Sequence, residues 1–126
     1  MDIEILIRGI PVPKQSFRIS GHGGYRDPRV TEWQRIVTLS AISWMNLNLG
    51  HIHTPLFEQG TEVDVCLDFY LPDKRRVDLD NLSKAVLDAL NGYLWADDRQ
   101  IVRMVLTKIA DVGSPAAGVL IKVRGL

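Results

Sequence analysis

Residues 71–98 concentrate charge: "LPDKRRVDLDNLSKAVLDAL" is followed by "NGYLWADD". Lys74, Arg75 and Arg76 precede Asp78 and Asp80, Lys84 comes one helical turn later, and Asp97 and Asp98 close the segment. Carboxylates that converge can hold Mg²⁺, a hard ion that prefers oxygen ligands and keeps several waters. Such an ion activates water and neutralises charge on a phosphodiester under attack. A lysine beside it can contact the scissile phosphate or offset carboxylate repulsion, and a basic loop can hold the flanking backbone. Each residue also has an ordinary explanation. Asp80 can cap a helix, and Lys84 can pair with Asp80 or Asp88 for about a few tenths of a kcal/mol. Asp97 and Asp98 can be turn residues, and "KRR" can be a solvated loop. Spacing alone leaves both readings open.

The elements that must position these residues follow from periodicity. Residues 2–8 put Ile3, Ile5 and Ile7 on one face, the mark of a strand. Residues 9–26, with Gly9, Pro11, Pro13, Gly21, Gly23 and Gly24, read as a long loop, and such loops are usually functional or mobile. Asp27 and Pro28 supply a side-chain acceptor and a pre-set φ for a helix start. That helix is expected to run to about residue 48 with Val30, Trp33, Val37, Ala41 and Trp44 as its stripe, and Gly50 ends it. After a second loop, "EVDVCLDFYL" alternates as a half-buried strand does. A second helix is expected over about 79–91, burying Leu79, Leu82, Ala85, Val86, Ala89 and Leu90 and stopped by Gly92. "IVRMVLTKIA" and "AGVLIKVR" read as strands, and "DVGSP" between them has the composition of a hairpin turn. The expected fold is α+β: one domain over residues 1–126, order β-α-β-α-β-β, a mixed sheet with helices mainly on one face.

A chain of 126 residues with 46% hydrophobic content fits a single globular domain. The one cysteine, Cys66, excludes an internal disulfide and suggests a reducing compartment. No apolar run approaches the roughly 20 residues that span a bilayer, and the start lacks a signal-peptide cleavage pattern, so a cytoplasmic protein without a membrane partner is expected. The net charge is zero, but the charges are segregated. Residues 8–35 hold Arg8, Lys14, Arg18, Arg26, Arg29 and Arg35 against Asp27 and Glu32, while residues 58–68 hold four acids and no base. Lys14, Arg18 and Arg26 are therefore candidates to contact a DNA backbone together with Lys74, Arg75 and Arg76. His51 and His53 lack the further ligands that structural zinc wants. Trp95 is expected to pack under the acidic pair, and Trp33 and Trp44 to serve the core or a subunit contact.

The run "LPDKRRVDLDNLSKAVLDALNGYLWADDRQIV" resembles the core motif of the RusA family of Holliday junction resolvases. That motif is D-x-D-N-L-x-K-x-x-x-D-A-L, followed by a tryptophan or similar residue and an acidic pair before a strand. Asp78, Asp80, Asn81, Leu82, Lys84, Asp88, Ala89, Leu90, Asp97 and Asp98 match it, and the "PVPKQSFR" and "GHGGYRDP" stretches are similar too. The resemblance implies a homodimeric, Mg²⁺-dependent endonuclease, with Mn²⁺ able to substitute and no small-molecule cofactor. It would make paired nicks in four-way DNA junctions during recombination and repair. It also implies catalytic roles for Asp78, Asp80, Lys84 and Asp98, with the three aspartates as metal ligands. Asp97 would assist or shape the turn. A non-catalytic homodimer that recognises branched DNA is the alternative, and it would not need three carboxylates and a lysine at these positions. A third reading, "DLD" as the metal motif of a sugar-nucleotide transferase, asks for a longer chain.

Two expectations concern assembly. A two-fold enzyme suits a junction with two equivalent strands to cut, and the first helix's stripe with its tryptophans is expected to supply the interface. The second helix, about 18 Å long, would carry the chain to the far end of the sheet if it crosses back in the usual way. Then either "NGYLWADD" climbs back so that the next strand runs antiparallel, which is the preferred expectation, or a partner subunit supplies its own Asp98.

Overall fold

The computed structural model describes residues 1–15, 19–20, 23–24 and 27–126. Arg18, His22 and Arg26 lie outside the described residues. The elements are β1 (Asp2–Arg8), β2 (Ile19–Ser20), β3 (Gly23–Gly24), α1 (Pro28–Leu49), β4 (Val63–Tyr70), α2 (Leu79–Leu90), β5 (Ile101–Ile109) and β6 (Gly118–Gly125). Single 3₁₀ turns occupy Asp98–Gln100 and Ser114–Ala116. The order β-α-β-α-β-β holds for the main elements, and β2 and β3 form a two-residue antiparallel ribbon within the expected loop.

Strict alternation builds the sheet. Val63, Val65, Leu67 and Phe69 of β4 are fully buried, while Asp64, Cys66, Asp68 and Tyr70 on the opposite face are only half-buried. Ile3, Ile5 and Ile7 of β1 and Val119, Ile121 and Val123 of β6 join the buried face. Both helices cover it, α1 through Trp33, Val37, Ala41 and Met45, and α2 through Leu82, Ala85, Val86, Ala89 and Leu90. Each large side chain buried this way contributes roughly 1.5–3 kcal/mol. Gln34 Nε2 donates to Ala85 O at 3.1 Å and Thr38 Oγ1 to Ala89 O at 2.8 Å, which stitches α1 to α2. The stripe of α1 is therefore committed to the core. Trp33 is 2% exposed, and Met45 takes the inner position expected for Trp44. These residues cannot also supply a subunit interface, because the apolar face of the sheet needs them.

The expected terminal hairpin does not form. The strand order is β1-β6-β4-β5, with β6 antiparallel to both neighbours and β5 parallel to β4. The turn chemistry of "DVGSP" is present, with Asp111 at φ 61° and Gly113 at φ 85°. However, the N–H groups of Asp111, Val112 and Gly113 donate to the carbonyls of Asp73, Leu71 and Pro72. These bonds fasten the turn over the end of β4, so the chain crosses to β4's other side. β6, whose inward side chains are all buried, takes the central place, and β5, which carries Arg103 and Lys108, is left at the edge.

In the parallel ladder Val63 pairs with Ile101 and Tyr70 with Ile109. A parallel pair needs a crossover of a dozen or more residues, and residues 71–100 make it here, with α2 as its helix. The start of α2 thus lies at the Tyr70/Ile109 end, and the start of β5 lies at the opposite end.

The β1–β6 register is close at Gly118, where an added Cβ would lie 2.1 Å from Ile7 O. Gly118→Ala is expected to cost about 3 kcal/mol through overpacking, which lowers the midpoint of thermal unfolding on the order of 10 °C. An unchanged midpoint in differential scanning calorimetry would contradict that register.

Candidate active site

The start of α2 presents two carboxylates that local structure leaves uncommitted. Asp78 is the N-cap residue, yet its side chain makes no cap bond to the helix. Asn81 Nδ2 approaches Asp78 Oδ2 only at 3.4 Å, beyond the usual range of a strong hydrogen bond. Asp80 lies in the first turn, where the unpaired N–H groups of the helix favour negative charge. Its side chain is 75% exposed and pairs with Lys84 Nζ at 3.2 Å. An exposed pair of this kind adds at most about 1 kcal/mol to stability. Lys108 Nζ donates to Val77 O at 2.9 Å and brings a further cation beside Asp78. Sequence reading missed Lys108, because only the β4–β5 register brings residue 108 to residue 77.

The acidic pair divides its labour. Asp97 caps the 3₁₀ turn, with its carboxylate accepting from Arg99 N at 2.8 Å, Arg99 Nη2 at 3.0 Å and Arg99 Nε at 3.2 Å. The hydrogen-bonded guanidinium holds the Asp97 carboxyl below its usual range. Gln100 completes a capping box. Its buried Oε1 accepts from Ala96 N and Asp97 N, and its Nε2 donates to the carbonyls of Phe57, Glu58 and Thr61. Gln100 thereby ties the turn to the loop before β4. The D-x-x-Q spacing of Asp97 and Gln100 was a readable signal for it. Asp98 makes a different contact: its Oδ1 accepts from Trp95 Nε1 at 2.7 Å. Trp95 is fully buried beneath the pair, so the indole aims this carboxylate from a rigid base.

One chain does not bring these groups together. Lys108 touches Val77, and Leu71 N donates to Ile109 O at 2.8 Å, so Asp78 and Asp80 lie at the C-terminal end of β5. Asp98 directly precedes the N-terminal end of β5, where Ile101 N donates to Asp98 O. At about 3.3 Å per residue the two ends of β5 are separated by more than 20 Å. Ligands of one Mg²⁺ must all reach to about 2.1 Å from it. Among the described residues no group of three or more His, Cys, Asp or Glu side chains could hold a metal ion. The oxygen donors are of the right type for a hard cation, but their positions within a single chain do not fit one. The expected climb of "NGYLWADD" back toward Asp78 does not occur. Leu94 and Trp95 are buried in the core, Gly92 N donates to Trp95 O, and Phe57 N donates to Leu94 O, which pins the segment where α2 ends.

The basic candidates differ in commitment. Lys14 Nζ pairs with Asp88 Oδ2, and Lys14 N donates to Asn81 O at 2.9 Å, so the N-terminal loop docks along α2. Arg75 forks onto Asp73, with Nε to Oδ1 at 2.8 Å and Nη2 to Oδ2 at 2.9 Å. Those bonds pull the Asp73 carboxyl down to about 2. Lys74 and Arg76 are exposed, and neither has an ion-pair partner among the described residues.

Comparison with known proteins gives a consistent picture. A family model described as endodeoxyribonuclease RusA matches residues 8–124. The crossover junction endodeoxyribonuclease RusA of Escherichia coli K12 is 44% identical over 48 residues, which is 37% of this chain and 40% of that protein. The protein of the same name from Enterobacteria phage 82 is 44% identical over the same share. The match to these relatives thus spans 40% of their length. The Aquifex aeolicus protein of that name is 28% identical over 127 residues, covering 98% of this chain and 91% of that protein.

Because the folded-state pKa of Asp73 is depressed, its contribution is fully present above the unfolded value near 3.8 and is lost as pH falls toward about 2. Arg75 therefore stays tethered at any neutral pH. Asp73→Asn is expected to release it for phosphate and to steepen the slope of log affinity against log salt by up to about 0.9 on duplex arms. Fluorescence anisotropy across a salt series measures this, and an unchanged slope would place Arg75 away from the DNA.

Proposed function

The chain belongs to the RusA family of endodeoxyribonucleases, and on that premise we propose that it cuts four-way DNA junctions by paired nicks in recombination and repair. The observation that carries the proposal is the start of α2. Asp78 and Asp80 lie exposed within the matched segment, neither carboxylate caps the helix, and Lys84 is one turn away. Carboxylates kept from local structural duty beside a lysine suit a site that handles phosphate. In this reading Lys84 faces the scissile phosphate, Lys74 and Arg76 hold the flanking backbone, and the loop that carries Lys14 docks along α2 at Asn81 and Asp88. Trp95 keeps the Asp98 carboxylate in one orientation.

The proposal includes a requirement for Mg²⁺, with Mn²⁺ able to substitute, supported by an all-carboxylate donor set. It also includes a homodimer, since two equivalent strands are best met by two sites related by a two-fold axis. No helix among the described residues is long and apolar enough to cross a membrane, and action on DNA in the cytoplasm belongs to the same proposal.

The test uses a synthetic four-way junction with purified protein. Wild-type chain is expected to nick it symmetrically in Mg²⁺ and to lose cleavage in excess chelator. Asp80→Asn is expected to bind the junction nearly as well while turnover falls on the order of a hundredfold or more, the scale set by loss of one charge-stabilising group. Undiminished cleavage by the variant would rule out this site. Tight junction binding without cleavage by the wild type, in any divalent cation, would make the protein a branched-DNA-binding dimer.

A further inference from the structure

Asp78 occupies the N-cap of α2 without capping it. Its backbone, at φ −73° and ψ 128°, has the extended form from which an N-cap carboxylate ordinarily accepts the amide of the second or third helical residue, here Asp80 or Asn81. No such bond is made. A cap bond is favourable, so another interaction must keep the carboxylate away from it.

The loop that leads to Asp78 is fastened from below by one stretch of chain, residues 108–113. The N–H groups of Asp111, Val112 and Gly113 hold the carbonyls of Asp73, Leu71 and Pro72 at the start of the loop. Arg75 folds back on Asp73 in its middle. At its end Lys108 Nζ donates to Val77 O at 2.9 Å. The bonds at the start come from backbone, whereas this last one comes from a side chain. Lys108 stands on β5 opposite Phe69 of β4, so its stem rises from a rigid base. Val77 and Leu79 pack against the core and fix where the chain passes. They do not fix which way the peptide between Val77 and Asp78 faces, because a planar peptide can turn about its Cα–Cα axis while the side chains stay in place. Lys108 holds the carbonyl of that peptide. It thereby sets ψ of Val77 and φ of Asp78, from which the carboxylate is aimed.

By covalent geometry the ammonium also lies within about 6 Å of Asp78 Cα. At that range the attraction between a cation and a carboxylate is comparable with one cap bond. Tether and charge act in the same sense, and both favour a carboxylate that stays outside the cap.

We infer that Lys108 is a positioning residue for the candidate site: bound to Val77 O, it keeps the Asp78 carboxylate turned out of the helix cap and free to act beside Asp80 and Lys84. The inference rests on the proposed reading that Asp78 acts at this site, though its structural half does not.

The test compares two variants. Lys108→Met removes the donor and the charge and keeps the length of the stem, whereas Lys108→Arg keeps both donor and charge. Lys108 is exposed, so both chains are expected to fold, and the dispersion of their ¹⁵N–¹H spectra checks it. In Lys108→Met the Asp78 carboxylate is expected to fall into the cap. The amide proton of Asp80 or Asn81 then moves downfield, while Lys108→Arg keeps the wild-type positions. On a four-way junction Lys108→Met is expected to lower kcat on the order of tenfold, the scale of a slightly displaced reacting group. KM and the slope of log affinity against log salt should stay as in the wild type, and Lys108→Arg should recover most of the loss. Unmoved Asp80 and Asn81 amides in Lys108→Met overturn the inference, and so does a kcat at the wild-type level. Weaker binding with a salt slope shallower by about 0.9 overturns it too, because Lys108 would then be a phosphate contact. If the wild type cuts no junction, the nuclease reading falls, and the amide shifts still decide whether Lys108 keeps Asp78 out of its cap.

Discussion

β4 and β5 run side by side in the same direction, and the crossover between them must return the chain to the end from which β4 began. α2 makes that return with twelve residues, and its apolar face covers the sheet alongside α1. The direction of this one ladder decides where every charged group can go. It puts the start of α2, with Asp78, Asp80 and Lys84, at one end of β5 and the acidic turn at the other. It also leaves β5 at the edge, because β6 enters from the opposite side and fills the centre with a strand whose inward side chains are all buried.

Six of the aspartates sort into two groups by local chemistry. Asp27, Asp73 and Asp97 are each followed two residues later by an arginine, Arg29, Arg75 and Arg99. In all three the arginine N–H and guanidinium both bond the carboxylate. Each carboxyl is held below its usual range by that arginine. The device is an Asx-type turn locked by a charge pair, and it shapes a helix start, a loop and a 3₁₀ turn. Asp78, Asp80 and Asp98 have no arginine at that spacing. They face Asn81, Lys84 and Trp95 instead. A carboxylate engaged twice by its own arginine is poorly placed to serve as a ligand, so Asp-x-Arg separates the structural acids from the candidate ones.

Much of this was legible in the sequence, for physical reasons that also set its limit. Alternation in "EVDVCLDFYL" and the Asp27-Pro28 and Gly50 signals reflect local backbone and burial preferences, and the structure has β4 and α1 where they imply. The Asp-x-Arg spacing is present in the sequence too, but the turn that brings the arginine N–H and guanidinium onto the carboxylate belongs to the folded backbone. Strand neighbours were not legible, because period-two patterning reports which face is buried and not which strand lies alongside. "DVGSP" has the same turn residues whether it closes a hairpin or caps β4, and the bonds to Leu71, Pro72 and Asp73 that decide the matter are long-range. An apolar stripe suits core and interface equally, and it is the sheet beneath Trp33 that commits this one to the core. Arg18 and Arg26 belong to the residues that lie outside the described structure.

The central claim is a distance: within one chain, the start of α2 and the acidic turn stay far apart. Nitroxide labels at Lys84→Cys and Arg99→Cys, in a Cys66→Ser chain diluted into excess unlabelled protein, report that distance by double electron–electron resonance. The account predicts a distribution centred at roughly 20 Å, the length of the β5 ladder less the stretch of about 7 Å by which Lys84 lies inside α2. A dominant population too close for dipolar measurement, with strong exchange broadening in the continuous-wave spectrum, would mean that the acidic turn folds back onto the start of α2 in the same chain.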